Sequence, residues 1–391
     1  MRYRKIVAAA TASLVLTLTA CQQIGRVEVL PPQTSAPVVE DEITTTPPVV
    51  TDPIDIPVID TPPVELNNVM PQAPEGLSEE ELELFENASQ IVSVMTIEQK
   101  VGQLFCLTAS SGVSADDAQG YMLGGVYYDA DFFKTTTKSA VSELNENMSQ
   151  KDDILLFTYE QGGVVAPITS NSHFRAFPFW GIGDLYNDSG MDLVESDIRE
   201  RTVLLKGLGL NGNYGINAAI CSSDDSMYAS TLRQPAQTTA NIVKTAIESY
   251  EDNGICTVVG AFPYGADSIE DVNADNSAMS GYVSAIDNGA DFIMMYQGVI
   301  AEEFAYLNPQ VHTALEDMGY YGATIIDLSE ESTYLAVTEA LTAGNDMFIV
   351  SDKELVTETV LKVRSGELDL ALVNDAVVSI MMSKISANIM G

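Results

Sequence analysis

Two groups of carboxylic acids could do chemistry in this chain. Asp327 ends the apolar run GATIIDLS (322–329), and Asp267, Glu270, Asp271 and Asp275 crowd the loop after another apolar run, CTVVGAF (256–262). A carboxylate at the end of a buried strand can act as a nucleophile or stabilise developing positive charge. Crowded carboxyls raise one another's pKa, so one of them can keep its proton and serve as an acid. The bland alternatives are solvated loop charges for the group of four, and a helix cap near Ser329-Glu330-Glu331 for Asp327. Ser329 is the better cap, which favours a pocket role for Asp327. The stretch VVGAFPYGADSIEDVN (258–273) has the outline of a catalytic loop, yet carries no His, Lys or Arg. The chain has only His173 and His312 and no CxxC or HExxH spacing, so neither metal nor cofactor is expected.

Short apolar runs that would position these acids lie near 103–109, 124–130, 153–159, 211–217, 256–262, 291–297, 322–328 and 346–352. Helical patterns separate most of them, as in DLVESDIRERTVLLKGL and TANIVKTAIESYEDNG, and two more close the chain. Alternating strands and helices imply a parallel sheet. Eight such units predict an α/β fold of the (β/α)8 TIM-barrel type, with function at the C-terminal ends of the strands. An open doubly wound sheet would need a phosphate-binding glycine loop, and none follows the first strand.

The N-terminus opens with Arg2, Arg4 and Lys5, continues as an apolar run too short to span a bilayer, and ends Leu18-Thr19-Ala20-Cys21. This resembles a bacterial lipoprotein signal: residues 1–20 removed, Cys21 lipidated, and the protein held outside the cytoplasm on a membrane. Between Pro31 and Pro74 fall eleven of the 16 prolines, among Thr and acidic residues. Proline fixes φ and removes a donor, so residues 21–76 read as a disordered linker, with roughly 170 Å of maximum reach at ~3.1 Å per residue. The folded domain is then 77–391. A net charge of −38 disfavours nucleic acid. Cys106, Cys221 and Cys256 are odd in number and give no disulfide framework.

Five segments in order, MTIEQKVGQLF (95–105), YEQGG (159–163), FPYGAD (262–267), YLNPQVHTALEDMGYYGATIIDLS (306–329) and ALTAGNDMFIV (340–350), resemble the N-terminal barrel of glycoside hydrolase family 3. The likeness is strongest to bacterial β-N-acetylglucosaminidases, covers about residues 95–390, and leaves no room for the family's second α/β domain. It implies a retaining mechanism without cofactor, with Asp327 in the nucleophile position. In those enzymes the loop after strand five reads Lys-His-Phe-Pro-Gly-His-Gly and then Asp-Ser-His, the last His being the acid/base. Here Gly260-Ala261 replace Lys-His, and Asp271-Val272-Asn273 replace Asp-Ser-His. An amide cannot cycle a proton near neutral pH, so Asn273 cannot be that acid. Tyr159 stands where a sugar-gripping Asp is expected, Glu160 follows it, Gln297 replaces a His, and the Arg expected after strand four is out of register, with Arg233 the nearby candidate.

These departures point to a surface-tethered, monomeric barrel that binds a glycan with weak or lost hydrolysis. Asp327 and Asp271 are the remnants of its catalytic set, and Tyr159, Glu160, Phe262, Tyr264, Asn273 and Gln297 are its expected ligand contacts. Tyr159, Phe262, Tyr264 and Trp180 can stack on sugar rings or simply pack. Two alternatives remain open: an active retaining β-N-acetylglucosaminidase or β-glycosidase with a rebuilt acid, and a non-catalytic structural lipoprotein.

Overall fold

The computed structural model describes residues 68–149, 153–300 and 302–390. The signal peptide, Cys21 and most of the expected linker lie outside the described residues. Eight parallel strands close into a barrel: β1 Phe105–Thr108, β2 Gly125–Tyr127, β3 Leu155–Thr158, β4 Gly212–Asn217, β5 Cys256–Phe262, β6 Phe292–Met295, β7 Ala323–Asp327 and β8 Met347–Val350. Each pairs with its neighbours in sequence, and β8 returns to β1 with Phe105 beside Phe348 and Leu107 beside Val350. Most strand residues are buried, as parallel strands covered on both faces must be, which is why the runs are apolar without alternation.

Every strand expected from the sequence forms, and each lies within its expected run. A small antiparallel ribbon, Val299–Ile300 with Glu303–Phe304, was not expected; it is too short to leave a pattern. Helices Met191–Gly207, Ala236–Asp252, Glu354–Ser365 and Leu370–Ser386 coincide with the helical runs. Ser78 caps Glu79–Val94 through a reciprocal pair with Glu81, at 3.2 and 2.7 Å. The last residues assigned to the linker differ from expectation. Lys100 Nζ donates to Asn68 Oδ1 (3.1 Å), and Asn374 Nδ2 donates to the Val69 carbonyl (2.8 Å), so this stretch lies along the barrel. The competing rule is simple: a polar side chain on the barrel surface can hold an irregular chain by its backbone.

Two devices fix the N-terminal end of the barrel. Lys384, fully buried on the last helix, donates to Gln103 Oε1 (2.6 Å), the Gly124 carbonyl (2.8 Å) and the Asp153 carbonyl (2.6 Å). One ammonium therefore ties the segments entering β1, β2 and β3. On the opposite side, the Thr257 amide and hydroxyl donate to Asp291 Oδ2 at 2.7 and 3.1 Å, and the Asp291 amide returns a bond to the Thr257 hydroxyl at 3.2 Å. Thr324 and Asp346 repeat this clasp at 2.8, 2.8 and 3.2 Å. The pairs β5–β6 and β7–β8 are thus locked in register at their starts.

Burial pushes the Asp346 carboxyl up to about 8 and Asp291 to about 6, against the pull of the threonine bonds. A carboxyl with its folded pKa above the unfolded value of about 3.9 stabilises the fold below that value, and the contribution is lost as pH rises through the folded pKa. The unfolding temperature is therefore expected to fall between about pH 4 and pH 8. Asp346→Asn should flatten the upper part of that decline, read by calorimetry from pH 6 to 8. Lys384→Met should cost roughly 3 kcal/mol, because three buried acceptors lose their donor; denaturant titration measures it.

Candidate functional site

Asp327 is the last residue of β7, at the C-terminal mouth of the barrel. Its Oδ1 accepts from the Ser329 amide at 2.9 Å, and its backbone carbonyl accepts from the Gln297 side-chain amide. It borders a cavity of about 340 Å³ with Gln297, Phe304, Tyr306, Ser329, Glu330 and Glu331. Burial pushes its carboxyl up, the Ser329 hydroxyl and amide pull it back, and Glu330 and Asp129 push it up again. The sequence offered a pocket role or a cap. Asp327 holds the short turn Ser329–Glu331 and lines the cavity as well. The helix that follows starts later than expected, at Tyr334, and is capped by Thr333 rather than Ser329.

The mouth beside Asp327 is packed with tyrosine. Tyr127 is buried and stacks on Tyr159, with centroids 5.7 Å apart and planes at 27°, and it meets Phe157 at 5.1 Å. Burial first, then the Asp327 charge, raise the Tyr127 hydroxyl well above its ordinary pKa. Gly260 stands where the resemblance expects lysine. A Cβ built on it would lie 2.8 Å from Met294 Cβ and 3.0 Å from the Tyr214 hydroxyl. Any side chain at 260 would therefore meet Met294 and Tyr214 at once.

The loop after β5 bonds mainly to itself. Asp271 accepts from the Ser268 hydroxyl at 2.8 Å. Asn273 donates to the Glu270 carbonyl (2.6 Å) and accepts the amides of Asp275 (3.0 Å) and Asn276 (3.1 Å). Asp267, Glu270 and Asp275 are exposed. The carboxylates that push on Asp327 are Asp129 and Glu330 instead. Asp129 went unnoticed in the sequence because its pattern is that of a cap: it accepts the Phe132 amide (3.0 Å) at the start of Ala130–Thr135, and also the Ser110 amide (3.1 Å).

Two expected ligand contacts need correction. Phe262 is fully buried and meets Tyr282 edge-on at 5.2 Å; it is core, because the helix Ser280–Asp287 lays Tyr282 against it. Glu160 is also fully buried. It accepts the amides of Ile168 (2.8 Å) and Thr169 (3.2 Å) and the Thr169 hydroxyl, so it has no surface to offer a ligand. Tyr264 donates to Asp225 and meets Tyr296 edge-on at 4.7 Å, bridging the loops after β4 and β5. Trp180 is exposed. Arg201, buried, pairs with Asp197 and donates to the Trp180 and Glu160 carbonyls, pinning the long loop after β3. Among the described residues, no group of three or more His, Cys, Asp or Glu side chains could hold a metal ion.

No protein-family model matches the sequence, and no curated protein matches it. Solved structures do. A family 3 β-N-acetylglucosaminidase from a Paenibacillus species aligns with 76% of this chain at 20% identity and a TM-score of 0.63; the chain spans 63% of its length. A β-N-acetylhexosaminidase from Beutenbergia cavernae aligns with 74% of this chain and is 98% covered, at 20% identity and a TM-score of 0.60. An exo-1,3/1,4-β-glucanase from a Pseudoalteromonas species aligns with 83% of this chain and is 44% covered, at 14% identity and a TM-score of 0.64. The class so defined is a (β/α)8 barrel like that of family 3 glycosidases. At these identities the likeness carries the fold, and fold alone does not carry chemistry.

The packing at Gly260 makes a direct prediction. Gly260→Lys is expected to lower stability by about 1–3 kcal/mol through overpacking. Adding Tyr214→Ala should recover part of that loss, and a double-mutant cycle in denaturant would measure the coupling.

Proposed function

We propose that this chain is a glycan-binding protein built on a family 3-like barrel, with weak or lost hydrolysis, and held outside the cytoplasm by lipid on Cys21. One observation carries the reading. Asp327, in the nucleophile position of the resemblance, borders a cavity, whereas at Gly260, in the place of a lysine, any Cβ would stand within 3.0 Å of Met294 and Tyr214. A retaining glycosidase also needs an acid about 5–5.5 Å from its nucleophile. Asp271 and Asn273, the remnants of that acid in the resemblance, satisfy their own loop. Aromatic Phe304 and Tyr306 beside Asp327 suit a sugar ring. The tether rests on the N-terminal sequence, Arg2 to Cys21.

A second reading has its own support. Asp129 and Glu330 are the carboxylates whose charges act on Asp327, so a working hydrolase would use one of them as its acid. Release of nitrophenol from β-linked nitrophenyl glycosides, with the N-acetylglucosaminide first, separates the two. The proposal expects little or no release above an Asp327→Ala control. Turnover abolished by Asp327→Ala and cut about a hundredfold or more by Asp129→Asn or Glu330→Gln would install the hydrolase reading instead.

A further inference from the structure

A cavity of about 140 Å³ opens at the N-terminal end of the barrel, beside the starts of β7 and β8, and it shares no lining residue with the Asp327 cavity. The helix Pro309–Asp317 brings His312 and Glu316 to it, the last helix brings Asp375, and Asp346 stands just before β8. Gln72 and Pro74, from the stretch that lies along the barrel, complete one side. The lining thus gathers three carboxyls and contains no lysine or arginine.

Two of these side chains are more than nine-tenths buried and still have an acceptor to spare. His312 is 7% exposed, and its Nε2 meets the Tyr306 carbonyl at 3.3 Å. A carbonyl only accepts, so Nε2 carries the hydrogen and Nδ1 keeps a lone pair. No group among the described residues donates to Nδ1. The ring is seated against Gly344, where a Cβ would come within 3.0 Å of it. Burial pushes the imidazole down to about 4, so it stays neutral. Asp346, 9% exposed, commits Oδ2 to the Thr324 amide and hydroxyl and leaves Oδ1 without a partner among the described residues. Asp375 and Glu316 have no side-chain partner there either; burial pushes both carboxyls up, and their charges act on Asp346.

We propose that this cavity is a binding site for one small primary ammonium, whose N–H groups donate to His312 Nδ1, Asp346 Oδ1 and the Asp375 carboxylate. Buried acceptors without donors ask for a donor, and carboxylates without a cation ask for positive charge. A primary ammonium supplies both. A metal ion does not fit, because no group of three His, Cys, Asp or Glu side chains among the described residues could hold one. Hydrogen bonds of about 2.7–3.2 Å reach across a wider gap than metal–oxygen bonds of about 2.0–2.6 Å. The groups that face Asp346 here are Glu316, His312, Asp375, Tyr320 and Tyr321. Asp346 holds a proton up to about pH 8, and with Oδ2 occupied that proton sits on Oδ1. The ammonium displaces it, so affinity rises from pH 6 to pH 8. The site stands independently of what the Asp327 cavity binds.

The test titrates the intact protein at pH 8 with the chlorides of methylammonium, tetramethylammonium, sodium and calcium, following backbone amide shifts and the ring-nitrogen signals of His312. Tetramethylammonium has the charge but no N–H. The expected result is saturable shifts at Thr324, Gly344, Asp346 and His312 Nδ1 with methylammonium alone, and weaker binding at pH 6. Asp375→Asn removes no side-chain hydrogen bond of the fold and should weaken binding about tenfold or more. Equal shifts with tetramethylammonium or sodium would be general screening of an acidic surface and overturn the proposal. Preference for calcium would make the cavity a metal site and overturn it as well. No saturable shift with methylammonium leaves the cavity to water, and unchanged affinity in Asp375→Asn puts the ammonium elsewhere; either result sinks the assignment. Nα-acetyl-lysine amide distinguishes two sources of the group. Binding tighter than methylammonium upholds the site as one for a protein's lysine, and weaker binding upholds it as one for a free amine.

Discussion

A parallel barrel has no hairpin to close it; the first strand must meet the last across the whole length of the chain. Here that meeting, Phe105 to Phe348, depends on what happens beneath it. The last helix carries a lysine into the interior, and Lys384 gathers the entrances of β1, β2 and β3 around one charge. A buried ammonium is tolerable only with its hydrogens committed, and three acceptors do this. The Thr–Asp clasps perform the same task for the later strands with neutral and acidic groups. The ends of the strands at the mouth are held in place by a base at the other end of the barrel.

With the base fixed, the mouth is free to differ from its structural neighbours. Where the resemblance implies charge, the mouth carries tyrosine: Tyr159 stacks on Tyr127, and the Tyr214 hydroxyl lies close to Gly260. Tyrosine keeps a hydroxyl for hydrogen bonding and brings a large apolar face. Beside the mouth, Arg201 fixes the backbone of the loop after β3, whose Val164 and Trp180 side chains are exposed.

The barrel was legible because its strands are continuous apolar runs at regular spacing, a signal that depends only on burial. Asp327 was legible for the same reason: it is the polar residue that terminates such a run. What local pattern could not carry was partnership between distant segments. Glu160 reads as a mouth residue until Thr169, nine positions away, is seen to claim it. Asp129 reads as a helix cap until it is placed near Asp327, almost two hundred residues on. Phe262 looked like a platform because nothing nearby in sequence announced Tyr282. The extended segment at 68–69 was missed likewise, its anchors being Lys100 and Asn374.

The closeness of Met294 and Tyr214 to Gly260 also limits which substitutions the mouth accepts. A side chain cannot be added at 260 unless Met294 and Tyr214 give way. Removing Tyr214 first would open a void against a close-packed interior, itself a loss. Either change made alone therefore costs stability, and the two positions are coupled. Substitution at the mouth is then freest in its exposed loops, where no such neighbour has to give way.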